Sequence, residues 1–362
     1  MINNEVLNDD LLEIVNSDVI DWTKFEGKNI FITGGTGLIG SLIVRAVQKR
    51  NEMSKEKIKL CLLVRDLEKS IKLFGEDNNI TYVEGSVENF EIKNMNIDYI
   101  IHAASPTKSK FFVDQPVETM NTAIFGTQRV LELARINKIK SMIYLSSMEM
   151  YGTMHSESVK EQDSGFVDLK NVRSCYPEGK RVSELYSYCY FQEYGVPVKI
   201  ARIAQTFGPG IDVKTENRVY KFFADSILDK KNIVLKSTGS TIINYGYTTD
   251  VVKGIFCILQ RGENGLSYNL VGDKTGMTIK ESAEWLIKEY GADGTSVVID
   301  IPKENAGFAP DNGMILENGL LKEIGWYPNH DLKDGYDRLL KYMEIEYSNE
   351  GQKEKKLIRE KK

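Results

Sequence analysis

Three histidines and four cysteines in 362 residues leave little material for metal or disulfide chemistry. His102, His155 and His330 lie far apart, and Cys61, Cys175, Cys189 and Cys257 show no metal-ligand spacing, so no metal is expected. The cysteines are too scattered for a disulfide framework at this length, and they read as reduced thiols of a cytoplasmic protein. No apolar run approaches the ~18 residues that span a bilayer, which argues against a membrane partner. Basic residues are not in excess either: 47 Lys and Arg against 52 Asp and Glu give a formal charge of −5. That balance argues against a nucleic-acid partner. The opening residues Met1-Ile2-Asn3-Asn4-Glu5 have neither the basic nor the apolar segment of a secretory signal.

What the chain does have is an ordinary globular composition, 41% hydrophobic, arranged in alternating periods. Leu11, Leu12, Val15 and Val19 recur at helical spacing within a preface, residues 1–27. From Lys28, short apolar runs alternate with helical stretches. Strands are expected at Asn29–Thr33, Lys59–Val64, Thr81–Glu84, Tyr99–His102, Ser141–Ser146 and Val198–Ile203. Helices are expected at Leu38–Lys49, Pro116–Ile136 and Tyr176–Tyr194. This pattern predicts an α/β fold with a doubly wound parallel sheet over residues 28–208. A smaller α/β lobe is expected over 209–345, with segments near 240–260 returning to the first domain. A charged Lys/Glu tail, 346–362, carries no core pattern and reads as frayed.

Two motifs carry chemistry. Gly34-Gly35-Thr36-Gly37-Leu38-Ile39-Gly40 contains G-x-G-x-x-G directly after a strand and at the start of a helix. Glycines there permit a tight turn, and the helix N-terminus favours the charge of a dinucleotide pyrophosphate. The second strand then ends in Leu63-Val64-Arg65-Asp66, with Lys69 close behind. Arg65 stands where an acid for the ribose of NAD is expected, and with Lys69 it suits a 2′-phosphate, while Asp66 suits NAD. Both coenzymes stay open. In the second motif, Tyr176 and Lys180 share one face of the predicted helix. A phenol near pKa ~10 needs neighbouring positive charge before it can act as a base, and an ammonium and an oxidised nicotinamide ring both supply it.

Together these motifs resemble the extended short-chain dehydrogenase/reductases, the NAD-dependent epimerase/dehydratase branch that modifies nucleotide sugars. Supporting stretches are His102-Ala103-Ala104-Ser105-Pro106, Ser146-Ser147-Met148-Glu149-Met150-Tyr151-Gly152, Thr206-Phe207-Gly208-Pro209 and Ile324-Gly325-Trp326-Tyr327-Pro328. Around Ser105-Pro106, Glu149 and Arg173–Arg181 the resemblance is greatest to UDP-glucuronate decarboxylases, followed by dTDP-glucose 4,6-dehydratases. It implies a Rossmann-like fold, NAD or NADP, a nucleotide-sugar substrate oxidised or reduced at C4, and a homodimer built on the helices matching Pro116–Ile136 and Tyr176–Tyr194. Tyr176, Lys180, Ser147 and Glu149 match catalytic positions. Gly34, Gly35, Gly37, Leu38, Ile39, Gly40, Arg65, Asp66, Lys69, Ser86, Val87, Ala103, Ala104 and Ser105 match coenzyme-binding ones, shared with Tyr176 and Lys180. Ser105, Gln205, Thr206, Arg218 and Asn244 match substrate positions.

The departures from the family pattern bear on the reaction. Met148 precedes Glu149 where the dehydratases have an Asp-Glu pair, which counts against dehydration. Ile243 replaces an arginine that grips the substrate, Gln205 and Ala123 replace asparagines, and Ser86 replaces an aspartate near adenine. Alternatives to decarboxylation are a 4-keto-sugar reductase or epimerase, or a dTDP-glucose 4,6-dehydratase-like enzyme, and, outside the enzymes, a coenzyme-binding regulatory protein with a lapsed substrate site.

Overall fold

Seven parallel strands form the centre of the computed structural model, which describes residues 4–93, 95–301 and 313–360. The first residues of the preface, part of the smaller lobe (302–312) and the last two of the tail lie outside the described residues. The strands are β1 (Asn29–Thr33), β2 (Lys59–Val64), β3 (Ile80–Glu84), β4 (Tyr99–His102), β5 (Ser141–Ser147), β6 (Val198–Ile203) and β7 (Ser267–Leu270). Their order across the sheet is β7-β6-β5-β4-β1-β2-β3. The strand order reverses between β1 and β4, and such a switch point opens a crevice at the carboxyl ends. Six strands lie within one residue of the sequence expectation. The seventh comes from the stretch assigned to the smaller lobe, and the helix Thr248–Arg261 before it packs back onto β5 and β6.

Both faces of the sheet are buried, as parallel strands covered by helices require. Ile30 and Ile32 of β1 join a core with Leu42, Val44, Ile255 and Leu11, while Phe31 joins the opposite core with Ile100, Met142, Val130 and Val198. That alternation follows from the two-residue period of a strand. One layer therefore holds the helices Glu5–Val15, Leu38–Met53 and Thr248–Arg261, and the other Thr127–Asn137 and Cys175–Tyr194.

The expected helix at Pro116–Ile136 is interrupted. Pro116–Asn121 and Thr127–Asn137 are joined by a π-helical turn, Thr122–Gly126. Gly126 approaches Val87 so closely that a Cβ would sit 2.7 Å from Cγ1, and Ala123 Cβ would lie 3.0 Å from a Cβ on Gly179. A π-turn re-aims a helix where neighbours crowd it.

The preface is fastened to the far end of the chain. Asp10 is buried and accepts from Tyr247 (2.7 Å) and Arg338 (2.7 Å). Lys253 Nζ bridges Glu13 (2.8 Å) and Asp250 (2.9 Å), and His330 Nε2 meets Glu13 at 2.8 Å. Glu13, Asp250 and His330 have the closeness of a metal-ligand set. The Lys253 ammonium already stands between two of their carboxylates, so the group reads as an ion-pair network. The last helix runs Leu332–Glu360, through residues that the sequence reading left as a frayed tail. Lys, Glu, Arg and Leu are strong helix formers, and the absence of a core pattern does not prevent a backbone helix from continuing.

Candidate functional site

At the switch point β1 ends in a glycine turn that leaves no room for a side chain at Gly34 or Gly40. Gly34 has φ +71°, and a Cβ there would lie 2.6 Å from the Ala103 carbonyl carbon and 2.7 Å from the Ala104 nitrogen. A Cβ on Gly40 would run into the Gly34 carbonyl. Gly37 begins the helix Leu38–Met53 with no side-chain cap, so the first N–H groups of Leu38, Ile39 and Gly40 are left for an anion. Ala103 and Ala104 are held to β1 by hydrogen bonds to the Thr33 carbonyl (3.2 Å) and hydroxyl (3.1 Å). Ser105 follows, its hydroxyl donating to the Pro106 carbonyl at 3.2 Å. This cradle fits a dinucleotide pyrophosphate, and a Cβ at Gly34 or Gly40 would force its backbone apart.

At the end of β2 the two coenzyme-selecting candidates separate. The Asp66 carboxylate caps the helix Leu67–Phe74 by accepting the Lys69 N–H at 2.9 Å. Arg65 is exposed beside it. At the end of β3, Val87 turns its side chain into the core against Gly126, so only its backbone and Ser86 face outward.

The catalytic candidates converge at the end of β5. Ser147 closes the strand, and a short turn, Met148–Tyr151, follows. Tyr176 and Lys180 project from the helix Cys175–Tyr194, with Lys180 Nζ 5.7 Å from the centre of the Tyr176 ring and donating to the Leu145 carbonyl at 2.8 Å. Burial pulls Lys180 down to about 8, against the opposing pull of Glu184. Tyr176 moves the other way from the sequence expectation. Burial raises it well above 10 and the Glu149 charge adds to that, while a Ser147 hydrogen bond, Arg173 and Arg218 oppose. The correction has a plain cause: the chain alone provides the dry pocket, and the expected lowering needs the ring charge of an oxidised coenzyme.

Glu149 is not free. Arg173 forks onto it with Nη1–Oε2 at 2.8 Å and Nη2–Oε1 at 3.1 Å. Arg173 also lies over Phe112, ring centre 5.6 Å away, and Phe112 in turn stacks on Tyr176. Neither Arg173 nor Phe112 was picked out from sequence for a role. Arg173 sits three residues before Tyr176, one helical turn, which was a usable signal; Phe112 lies in the unforeseen helix Ser109–Asp114 and gave none.

The substrate candidates divide. Arg218 donates to the Thr206 carbonyl at 3.3 Å, and its charge is felt at Tyr176. It is also gripped by Glu216 at 3.0 and 2.5 Å, a partner the sequence reading missed. Gln205 is exposed on the strand Gln205–Phe207. Asn244 does not face the cleft: it is 1% exposed, and its amide bridges the Met314 carbonyl (2.9 Å) and the Leu316 N–H (3.0 Å). A buried amide must satisfy both ends, and those two bonds use it to hold the strand Gly313–Leu316. His102 is likewise structural. It sits between the Thr33 (2.7 Å) and Thr127 (3.2 Å) hydroxyls, and burial together with the Lys180 charge pushes it down to about 3.

Comparison with known proteins bears on the family and the fold. The model of the NAD dependent epimerase/dehydratase family matches residues 30–271. The chain is 27% identical over 317 residues to UDP-glucuronic acid decarboxylase 6 of Arabidopsis thaliana, covering 86% of this chain and 88% of that protein. It is 28% identical over 334 residues to UDP-glucuronic acid decarboxylase 1 of Xenopus tropicalis, covering 89% and 74% respectively. Among solved structures, an epimerase of Methanothermobacter thermautotrophicus superposes with TM-score 0.77 at 21% identity over 91% of this chain and 96% of that one. A dTDP-glucose 4,6-dehydratase of Streptomyces venezuelae, solved with NAD and TYD bound, gives 0.72 at 24% identity over 87% and 96%. At those identities the structures speak for the fold.

Proposed function

Because this chain is an enzyme that belongs to the NAD-dependent epimerase/dehydratase family, we propose that it oxidises C4 of a nucleotide-linked hexose and works on the resulting 4-keto sugar. UDP-glucuronic acid decarboxylases, which it is similar to, are the guide to the second step. One observation carries the reading: Ser147, Tyr176 and Lys180 meet at the end of β5, across the switch-point crevice from the glycine cradle.

The bound nicotinamide supplies the hydride acceptor. Everything else falls to the chain. The peptide N–H groups at Leu38–Gly40 hold the pyrophosphate, and Lys180 holds the nicotinamide ribose. Ser147 donates to the C4 oxygen and orients it, while Tyr176 removes its proton. The phenol waits neutral in its dry pocket until positive charge gathers around it. Arg218 faces the diphosphate, with Gln205 and Ser105 along the sugar; Thr206, matched to the substrate from sequence, is instead buried with its hydroxyl on the Ala204 carbonyl. Glu149, held in register by Arg173, moves the C5 proton or steers loss of CO2. Met148, in the place of a dehydratase acid, is buried among Met150, Tyr151 and Ala204, and so offers no second carboxylate.

A second reading, a 4-keto-sugar reductase or epimerase using NADP, is favoured by Arg65. It stands exposed where a 2′-phosphate would lie, while Asp66 is spent on its helix cap. One experiment separates the readings: incubate the protein with a panel of UDP- and dTDP-sugars and each coenzyme, then weigh the products. Loss of CO2 supports decarboxylation, gain of two hydrogens reduction, and an unchanged mass with a new epimer by NMR epimerisation. No new product with any sugar removes the proposal.

The enzyme is further proposed to work as a homodimer in the cytoplasm. Val117, Phe125, Leu185 and Tyr188 expose apolar surface on the two helical segments that flank the site, and Leu185 is 62% exposed. The four cysteines are free thiols. No helix among the described residues is long and apolar enough to cross a membrane. Light scattering of the wild type and Leu185→Glu checks the dimer; equal masses would refute this face.

A further inference from the structure

Lys180 and Glu184 stand one helical turn apart and dock on consecutive residues of β5. Lys180 Nζ donates to the Leu145 carbonyl at 2.8 Å, and the Ser146 hydroxyl donates to Glu184 at 2.5 Å. Both side chains are buried. From β6, Arg202 closes on the other side of Glu184, with Nε 3.2 and 3.1 Å from its two oxygens and Nη2 at 2.7 Å. Arg202 itself is fixed by the Tyr151 hydroxyl (3.0 Å) and the Glu161 carbonyl (2.6 Å). Glu184 is therefore held against β5 and β6, one turn along the helix that carries the catalytic pair.

The surroundings of Lys180 give this arrangement a purpose. A buried ammonium is expensive unless a negative group offsets it. From β4, His102 faces it as a neutral ring. From β5, Tyr144 offers the face of its ring at 4.9 Å, and burial raises that phenol too. On its own helix the neighbours are Tyr176, also raised by burial, and Glu184. Arg202, from β6, is paired with Glu184. Glu184 is the acid in this set.

We propose that Glu184 is a positioning residue of the reaction: clamped by Ser146 and Arg202, its carboxylate keeps the proton on Lys180 in a pocket that would otherwise strip it. The role is electrostatic and acts through Lys180; Glu184 touches neither substrate nor coenzyme.

The test reads the Lys180 proton directly. Protein grown with 13C-lysine is titrated by NMR, with the Lys180 signal assigned by its loss in Lys180→Met. The comparison is with Glu184→Gln/Arg202→Met, which replaces a buried ion pair with neutral side chains of similar size and so keeps the core filled. The expected Lys180 midpoint is about 8 in the wild type and about one pH unit lower in the double variant, a tenfold weaker hold on the proton. Glu184→Asp, which keeps the charge, should stay nearer the wild type and decides the matter if the double variant does not fold. Coinciding wild-type and double-variant midpoints, or an Asp variant shifted as far as the neutral pair, overturn the proposal.

A second arm rests on the proposed reading that Lys180 holds the nicotinamide ribose. NAD+ affinity of the double variant should match the wild type near pH 6 and fall severalfold near pH 8. If the wild type binds neither NAD+ nor NADP+ at any pH, the proposed function fails, while the NMR midpoints still decide the role of Glu184.

Discussion

Phe112 lies face to face with Tyr176, ring centroids 4.2 Å apart and planes within 10° of parallel. A stacked ring cannot swing, so the phenol oxygen is held on one line with respect to Ser147 and the crevice. Phe112 belongs to the short helix that follows the β4 loop, and that loop also meets the glycine cradle. The segment that lines the coenzyme site therefore also sets the direction of the base.

Phe112→Ala should cost stability, about 3–5 kcal/mol for a buried aromatic, and turnover beyond that loss. Activity measured well below the melting temperature should fall about tenfold or more at unchanged coenzyme affinity. A variant that loses only thermal stability would show that the stack is packing alone.

Tyr176→Phe keeps the ring, the stack and the fold but removes the proton acceptor. Turnover should drop by roughly 10²–10⁴, the range of a lost general base. NAD+ binding by fluorescence titration should be nearly unchanged. Residual activity near the wild-type level would move the proton transfer to another group; wild-type turnover itself excludes a protein with a lapsed site.

Arg65→Asp should shift coenzyme preference away from NADP+ and toward NAD+. Arginine at an exposed strand end gains a charge-assisted bond to a 2′-phosphate, about 1.5–3 kcal/mol, and aspartate repels it. NADP+ affinity should fall at least tenfold while NAD+ affinity holds or rises, as read by calorimetry with each coenzyme. Equal changes for both would place Arg65 outside the adenosine subsite.

The ion-pair network of the preface predicts a stability optimum in mildly acid solution. Burial opposes the His330 charge, but Glu13, Asp250 and Asp334 outweigh it and hold the imidazole above 6.5. A raised folded-state value means that this contribution is complete below pH 6.5 and is lost as the pH climbs through the folded value. Glu13 behaves in the opposite sense. Burial works against its charge, yet hydrogen bonds from His330 and Lys253 pull it down to about 2, so its contribution is present above pH 4.5 and lost as the pH falls toward 2. Both are whole between about pH 4.5 and 6.5. Melting curves should show the fall on the alkaline side, and His330→Asn should flatten it; an unchanged slope would rule His330 out as its source.

Much of this architecture is written locally. Asn-Ile-Phe-Ile-Thr cannot be other than a covered strand between a polar turn and Gly34-Gly35, and Tyr176 and Lys180 declare their helical face by spacing alone. What stayed hidden depends on partners distant in sequence. Asn244 looked like a cleft residue because no local pattern says that Met314 and Leu316 will use up its amide. Glu149 could be named, and Arg173 stood one turn before Tyr176, but nothing local pairs two residues 24 positions apart, and Glu184 carried no signal until β6 delivered Arg202. The π-turn at Thr122–Gly126 answers crowding by Val87 and Gly179, which a one-dimensional period does not record.

The bonds from Asp10 to Arg338 and from Glu13 to His330 zip the opening helix to the start of the last helix. Trimming the opening helix would remove Asp10 and Glu13 and leave Lys253, His330 and Arg338 to share Asp250 and Asp334, a greater injury than the missing eleven-residue helix suggests.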